Sequence, residues 1–121
     1  GCGGSVEMPM GAPLAKPKLV YHQRYGRAEP VRMMFAHAGV DFEDVQLLNN
    51  VAEGKAQDPH GMLPVLEVNM GQMLSQSIAV SRLVARKNGY YPLEPAAAFE
   101  ADWLVDTYND VLGNIGQVMI Q

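Results

Sequence analysis

The run Met62-Leu63-Pro64-Val65-Leu66-Glu67-Val68 constrains this chain more than any other, because a proline stands at the head of an unbroken apolar stretch. Proline has no N–H to give to a ladder, so it sits at the first residue of a strand or along an edge. The residues after Pro64 therefore read as a buried strand. A polar turn follows, and then Ser75-Gln76-Ser77-Ile78-Ala79-Val80-Ser81-Arg82-Leu83, which places small polar side chains where a helix begins. A backbone edge beside the free N–H groups of a helix start forms a receptor for an extended, anionic peptide. The edge pairs with the peptide main chain in β fashion, and the helix start takes its carboxylate.

The rest of the chain supplies a scaffold for that pair. Lys18 to His22 is short, apolar and β-prone, and Gln23 to Gly26 breaks the pattern. Glu29-Pro30-Val31 opens a helix in which Val31, Met34, Phe35 and Ala38 recur at helical spacing, and Gly39 supplies the stop. Phe42 to Leu48 reads as a second strand, and Asn49 to His60 as a loop with a short helical turn. Val65 to Val68 is a third strand, Asn69 to Gln72 a hairpin turn, and Met73-Leu74 the start of a fourth strand. Ser77 to Lys87 is a helix stopped by Asn88-Gly89. The order is β-α-β, loop, β-β-α. Beyond Tyr90-Tyr91-Pro92, residues Ala96 to Leu112 predict a long amphipathic helix carrying Phe99, Trp103, Val105 and Tyr108, with Gly113 and Gly116 weakening its end.

Composition narrows the function classes. With 121 residues and 48% hydrophobic content the chain can build a real core. A net charge of -4 with scattered Lys and Arg provides no basic face, which argues against a nucleic-acid partner. A single cysteine, Cys2, rules out an internal disulfide framework and a Cys-x-x-Cys redox pair, and points to a reducing, cytoplasmic compartment. No apolar run reaches the roughly 18 residues of a membrane span. His22, His37 and His60 have no metal-ligand spacing, so no metal is expected. Gly1-Cys2-Gly3-Gly4-Ser5 matches the myristoylation pattern if an initiator methionine has been removed, with Cys2 placed for palmitoylation on the cytoplasmic face of a membrane. The alternative is a small glycine-serine leader without lipid. Prolines 9, 13 and 17 make the following residues a tether.

A βαβ unit followed by a ββα unit, with proline opening the third strand, resembles the thioredoxin-like α/β fold. Four blocks sharpen the likeness: Lys18-Leu19-Val20-Tyr21, Gly26-Arg27-Ala28-Glu29-Pro30-Val31-Arg32, Pro64-Val65-Leu66-Glu67-Val68 and Gln76-Ser77-Ile78-Ala79. In that order they resemble the amino-terminal half of a sigma-class glutathione transferase, the group that includes haematopoietic-type prostaglandin D synthases. The resemblance covers about Lys18 to Asp110. It implies a leader over 1–17, a thioredoxin-like glutathione-binding domain over 18–90, and over 91–121 a linker with the first helix of an all-α domain.

The resemblance also assigns roles. Tyr21, at the end of the first strand, would donate its hydroxyl to the sulfur of bound glutathione and favour thiolate, the nucleophilic form of a thiol whose free pKa is near 8.5. Pro64 would follow a cis bond that turns the Leu63 main chain toward the cysteinyl backbone. Gln76 and Ser77, with Ser77 as the N-cap, would take the γ-glutamyl end, and Lys55 the glycyl carboxylate. Arg27 would orient the tyrosine site, and Asp110, in Val105-Asp106-Thr107-Tyr108-Asn109-Asp110, would approach glutathione from a neighbouring subunit, which implies a homodimer or larger assembly. Each residue also has an ordinary reading: packing for Tyr21, a strand edge for Pro64, simple capping for Ser77, solvation for Lys55, and a structural Arg-carboxylate pair for Arg27 and Asp110. The chain departs from the family pattern at three places. Val51-Ala52-Glu53-Gly54 lacks the tryptophan often found before the lysine, Met62 replaces a Gln or Lys, and Tyr25 replaces a frequently basic residue.

Two readings follow. The chain belongs to a transferase that activates glutathione, with no metal, for attack on an electrophile or isomerisation of a peroxide. Alternatively, a transferase-like domain serves as an adaptor in a membrane-associated or larger assembly.

Overall fold

The computed structural model of the chain describes residues 16–47 and 62–120. Strand β1, Lys18–His22, lies inside a four-stranded sheet. Strand β2, Glu43–Leu47, runs parallel to it on one side, and β3, Val65–Val68, antiparallel on the other. β4, Gln72–Leu74, pairs antiparallel with β3 and completes the order β2-β1-β3-β4. An interior strand must be covered on both faces, and Leu19, Val20 and Tyr21 are all buried. Alternation sorts them. Leu19 and Tyr21 join Leu66 and Val68 in a cluster with residues of the helices, whereas Val20, opposite Val65 in the ladder, is buried outside it.

A parallel pair needs a crossover, and helix α1, Glu29–Ala38, supplies it. Pro30 falls in its first turn, where a missing N–H breaks no helical bond. Gly39 closes it at φ +71°, its N–H reaching the Ala36 and Phe35 carbonyls. Val31 and Phe35 carry its buried face. Helix α2, Ser77–Lys87, adds Val80 and Val84 to the same cluster. Asn88 stops it by donating from both its main chain, at 3.1 Å, and its side chain, at 2.8 Å, to the Val84 carbonyl.

Helix α3 runs over Pro95–Ile120, past the expected end at Leu112. Glycine disfavours a helix by about 1 kcal/mol, which weakens it without terminating it. A glycine commonly ends a helix by adopting a left-handed conformation, and neither Gly113 nor Gly116 has positive φ. At the other end the Glu94 carboxylate accepts the N–H groups of Ala96 and Ala97 at 3.0 and 2.9 Å. Those two bonds hold the Glu94 carboxyl below its ordinary value of 4.5. Arg82 of α2 ties the helix down through Asp102 at 3.0 Å and Asp106 at 3.6 Å. Its Leu104, Val111, Ile115 and Val118 stay exposed, a stripe at helical spacing.

Two smaller expectations shift. The residues after Val68 form a 3-10 turn, Asn69–Gly71, so that β4 begins at Gln72. Ser77 is the first residue of α2 and Gln76 is the cap, because Gln76 has φ +76° and cannot belong to the helix; no side chain caps this end. The 49–60 loop, with Lys55, and Gly1 and Cys2 lie outside the described residues. Among the described residues no helix is long and apolar enough to cross a membrane.

Candidate functional site

Tyr21 ends the buried part of β1, only 7% exposed. The chain then turns back over it through a 3-10 turn, Gly26–Ala28. Gly26 is held at φ +45° against the phenol, and a Cβ there would lie 2.6 Å from Tyr21 Oη. No larger residue fits that approach. The next amide, Arg27 N–H, donates to Tyr21 Oη at 3.2 Å. A phenolic oxygen that accepts in this way keeps its own O–H proton for a further partner.

The turn is held from two other directions. From α3, Tyr108 Oη donates to the Gly26 carbonyl at 2.9 Å, and Asn109 Oδ1 accepts from the Arg27 guanidinium. Burial is the first cause that raises the Tyr108 phenol above 10, followed by the nearby Tyr21 and Glu29, with Arg27 opposing. Tyr108 is therefore a protonated donor at neutral pH. From α1, Arg32 donates to the carbonyls of Arg24, at 2.7 Å, and His22, at 3.4 Å, while pairing with Glu29 at 3.0 Å and Asp44 at 3.2 Å. This guanidinium lies 5.9 Å from the Tyr21 ring centre.

A cleft of about 240 Å³ opens beside the turn, lined by Arg27, Met62, Leu63, Gln76, Ser77, Ile78 and Asn109. The Leu63–Pro64 bond is cis, as the resemblance implies, and Pro64 is buried behind Leu63. Gln76 holds a backbone conformation costly for any residue with a side chain, by roughly 1–3 kcal/mol. Its carbonyl accepts the Val80 N–H at 2.9 Å, and its Nε2 donates to Met62 Sδ at 3.5 Å. Thioether sulfur is a weak acceptor, so this amide is held loosely.

Of the expected site residues, the fold brings Arg27, Leu63, Gln76 and Ser77 onto one cleft. Tyr21 stands one hydrogen bond behind Arg27. Asp110 is exposed and lies off this cleft; its neighbour Asn109 lines it instead. Neither Asn109 nor Tyr108 was expected to touch the site. Periodicity held a signal, since Asn109 lies two turns beyond Asp102, the residue that meets α2.

No family model matches the chain. The chain is 38% identical over 96 residues to hematopoietic prostaglandin D synthase of Gallus gallus, spanning 78% of the chain and 48% of that protein. It is 37% identical over 99 residues to probable glutathione S-transferase 6 of Caenorhabditis elegans, spanning 81% and 48%. The fold superposes on a monomeric glutathione S-transferase of the hookworm Necator americanus with a TM-score of 0.75 at 36% identity, over 85% of the chain and 50% of that structure. The chain thus spans about half the length of the curated relatives it matches.

Proposed function

Because this chain belongs to the glutathione transferase family, on its sigma-class side, we propose that it forms the glutathione-binding half of an enzyme that activates glutathione as a thiolate. The observation that carries the reading is convergence. Arg27, Leu63 and the mouth of α2 at Gln76 and Ser77 line one cleft, and the phenol of Tyr21 stands directly behind it, bonded to the Arg27 N–H.

Each group has a task that follows from its chemistry. The Tyr21 O–H donates to the glutathione sulfur, and the Arg27 N–H on the same oxygen offsets the charge that develops there. Leu63, presented by Pro64, pairs with the cysteinyl main chain. Gln76, Ser77 and the α2 start take the γ-glutamyl carboxylate, worth about 0.3–1 kcal/mol from the helix dipole alone. Lys55 takes the glycyl carboxylate. The thiolate then forms a bond to an electrophilic carbon whose leaving group departs with its electron pair, or assists the isomerisation of a peroxide. The second outcome draws on the relative named for prostaglandin D synthesis. No metal enters. The adaptor alternative has no support in the relatives above, which are named for catalysis.

Assembly and placement complete the proposal: a cytoplasmic homodimer in which Asp110 reaches the partner's glutathione. A monomer in light scattering, or an Asp110→Ala variant with unchanged affinity, would remove that part. Lipidation at Gly1 and Cys2 on the cytoplasmic face of a membrane stands or falls on the mass of the native N-terminal peptide.

The decisive experiment measures glutathione binding and conjugation on the full-length protein and its Tyr21→Phe variant. A hydrogen bond to a charged group is worth about 1.5–3 kcal/mol, so turnover should fall roughly 10- to 150-fold while glutathione affinity changes little. A full-length protein that does not bind glutathione refutes the reading.

A further inference from the structure

Tyr108 offers more than a wall for the site. We propose that it is a positioning residue whose hydroxyl acts on Tyr21 through the single peptide unit that joins Gly26 to Arg27. That unit is gripped at both ends. Its carbonyl accepts from Tyr108 Oη at 2.9 Å, and its N–H donates to Tyr21 Oη at 3.2 Å. The chain of donors runs Tyr108 O–H, Gly26 C=O, Arg27 N–H, Tyr21 Oη. Donation to an amide oxygen draws charge toward that oxygen and leaves the N–H a stronger donor, so bonds in series reinforce one another by about 10–30% each. A stronger Arg27 N–H on Tyr21 makes the Tyr21 O–H a better donor in turn, and the group it faces in the proposed function is the glutathione sulfur. The inference rests on that reading.

The geometry favours this role over plain packing. The peptide cannot slide, because Gly26 presses on the phenol and the Arg27 side chain is anchored on Asn109, the residue next to Tyr108. Packing alone would need the ring and no hydroxyl, and Tyr108 is itself 41% exposed. The titratable and charged groups around it are Tyr21 from β1, Arg27 from the turn and Glu29 from α1, with Arg32 of α1 near the Tyr21 ring. Its raised phenol keeps the donor proton in place across the range in which a bound thiol titrates. The contact joins residues 82 apart in sequence, so it couples helix α3 to the reacting centre.

The test uses the full-length protein, its Tyr108→Phe variant, and Tyr21→Phe. Ultraviolet absorbance of bound glutathione as a function of pH reads the thiolate, and kcat and KM are measured with a chloronitroarene. In Tyr108→Phe the apparent pKa of the bound thiol should rise by about 0.3–0.7, equivalent to a two- to fivefold loss of thiolate and of kcat/KM below that pKa. The glutathione Kd should stay within about twofold. Without any ligand, the Arg27 amide proton should move upfield in the NMR spectrum. An unshifted thiol pKa and an unmoved Arg27 resonance overturn the proposal, as does a changed Kd with unchanged pKa, the mark of packing. If Tyr21→Phe also leaves the thiolate unchanged, the proposed function falls with it; if Tyr21→Phe removes the thiolate and Tyr108→Phe does not, only the role of Tyr108 falls.

Discussion

Gly26→Ala is the sharpest probe of this site, because the structure separates its two costs. The first is conformational. At φ +45° an alanine enters the left-handed region at about 1–2 kcal/mol. The second is steric: the new Cβ would lie 2.6 Å from Tyr21 Oη and 3.0 Å from Cε2. Reaching ordinary contact at about 3.4 Å requires a movement of about 0.8 Å, and Tyr21 is buried in the main core cluster. Overpacking of this kind costs about 1–3 kcal/mol, giving a total near 2–5 kcal/mol. A displacement of that size also strains the 3.2 Å bond from Arg27. Gly39→Ala is the internal control, since Gly39 has φ +71° with nothing within 4 Å of a built Cβ. It should lose only the conformational term. Urea unfolding of the full-length variants gives both losses, and the absorbance of bound thiolate reads the site. Equal destabilisation at the two glycines, with normal thiolate in Gly26→Ala, would refute the close approach.

Gln76→Gly should separate binding from stability. It relieves a positive φ but adds freedom to the unfolded chain, so stability should stay level or rise by up to about 1 kcal/mol, while glutathione affinity falls about tenfold with loss of the amide. Calorimetry and urea unfolding check both, and a destabilised variant that still binds normally would contradict it. Glu94→Gln should flatten an acid-sensitive part of stability. A carboxyl with a lowered folded-state pKa contributes stability above its unfolded value, near 4.5, and loses it as pH falls through the folded value. The gap in thermal midpoint between wild type and variant should therefore close below about pH 4.5, and a gap constant down to pH 3 would remove the capping role.

The scaffold was legible where residue type dictates backbone. Pro30, Gly39 and Gly89 mark a helix start and two stops because their own dihedrals or missing donors permit little else. The run after Pro64 was legible as a strand because it is apolar and short, and it is observed over Val65–Val68. Gly113 and Gly116 misled for a related reason: glycine permits a stop, and the neighbours decide whether one occurs. Ser77 misled because serine is a good cap by type, whereas the positive φ that ends the extended segment falls one residue earlier, on a glutamine with no propensity for it.

The parts of the site that escaped sequence reasoning are those in which the main chain carries the chemistry. Arg27 is expected to orient the tyrosine site; the group that touches the phenol is its main-chain amide, while the guanidinium anchors the turn to Asn109. A sequence shows side chains and says little about where an amide points. That direction comes from the fold, here from a glycine that lets the turn close onto Tyr21. Successive helix residues differ by about 100° around the axis, so Asn109 lines this cleft while Asp110, expected to serve a neighbouring subunit's glutathione, lies off it. It follows that substitutions preserving side-chain charge at Arg27, such as Arg27→Lys, act on the anchor, whereas the contact that bears on the phenol is reached only through Gly26 or Tyr108.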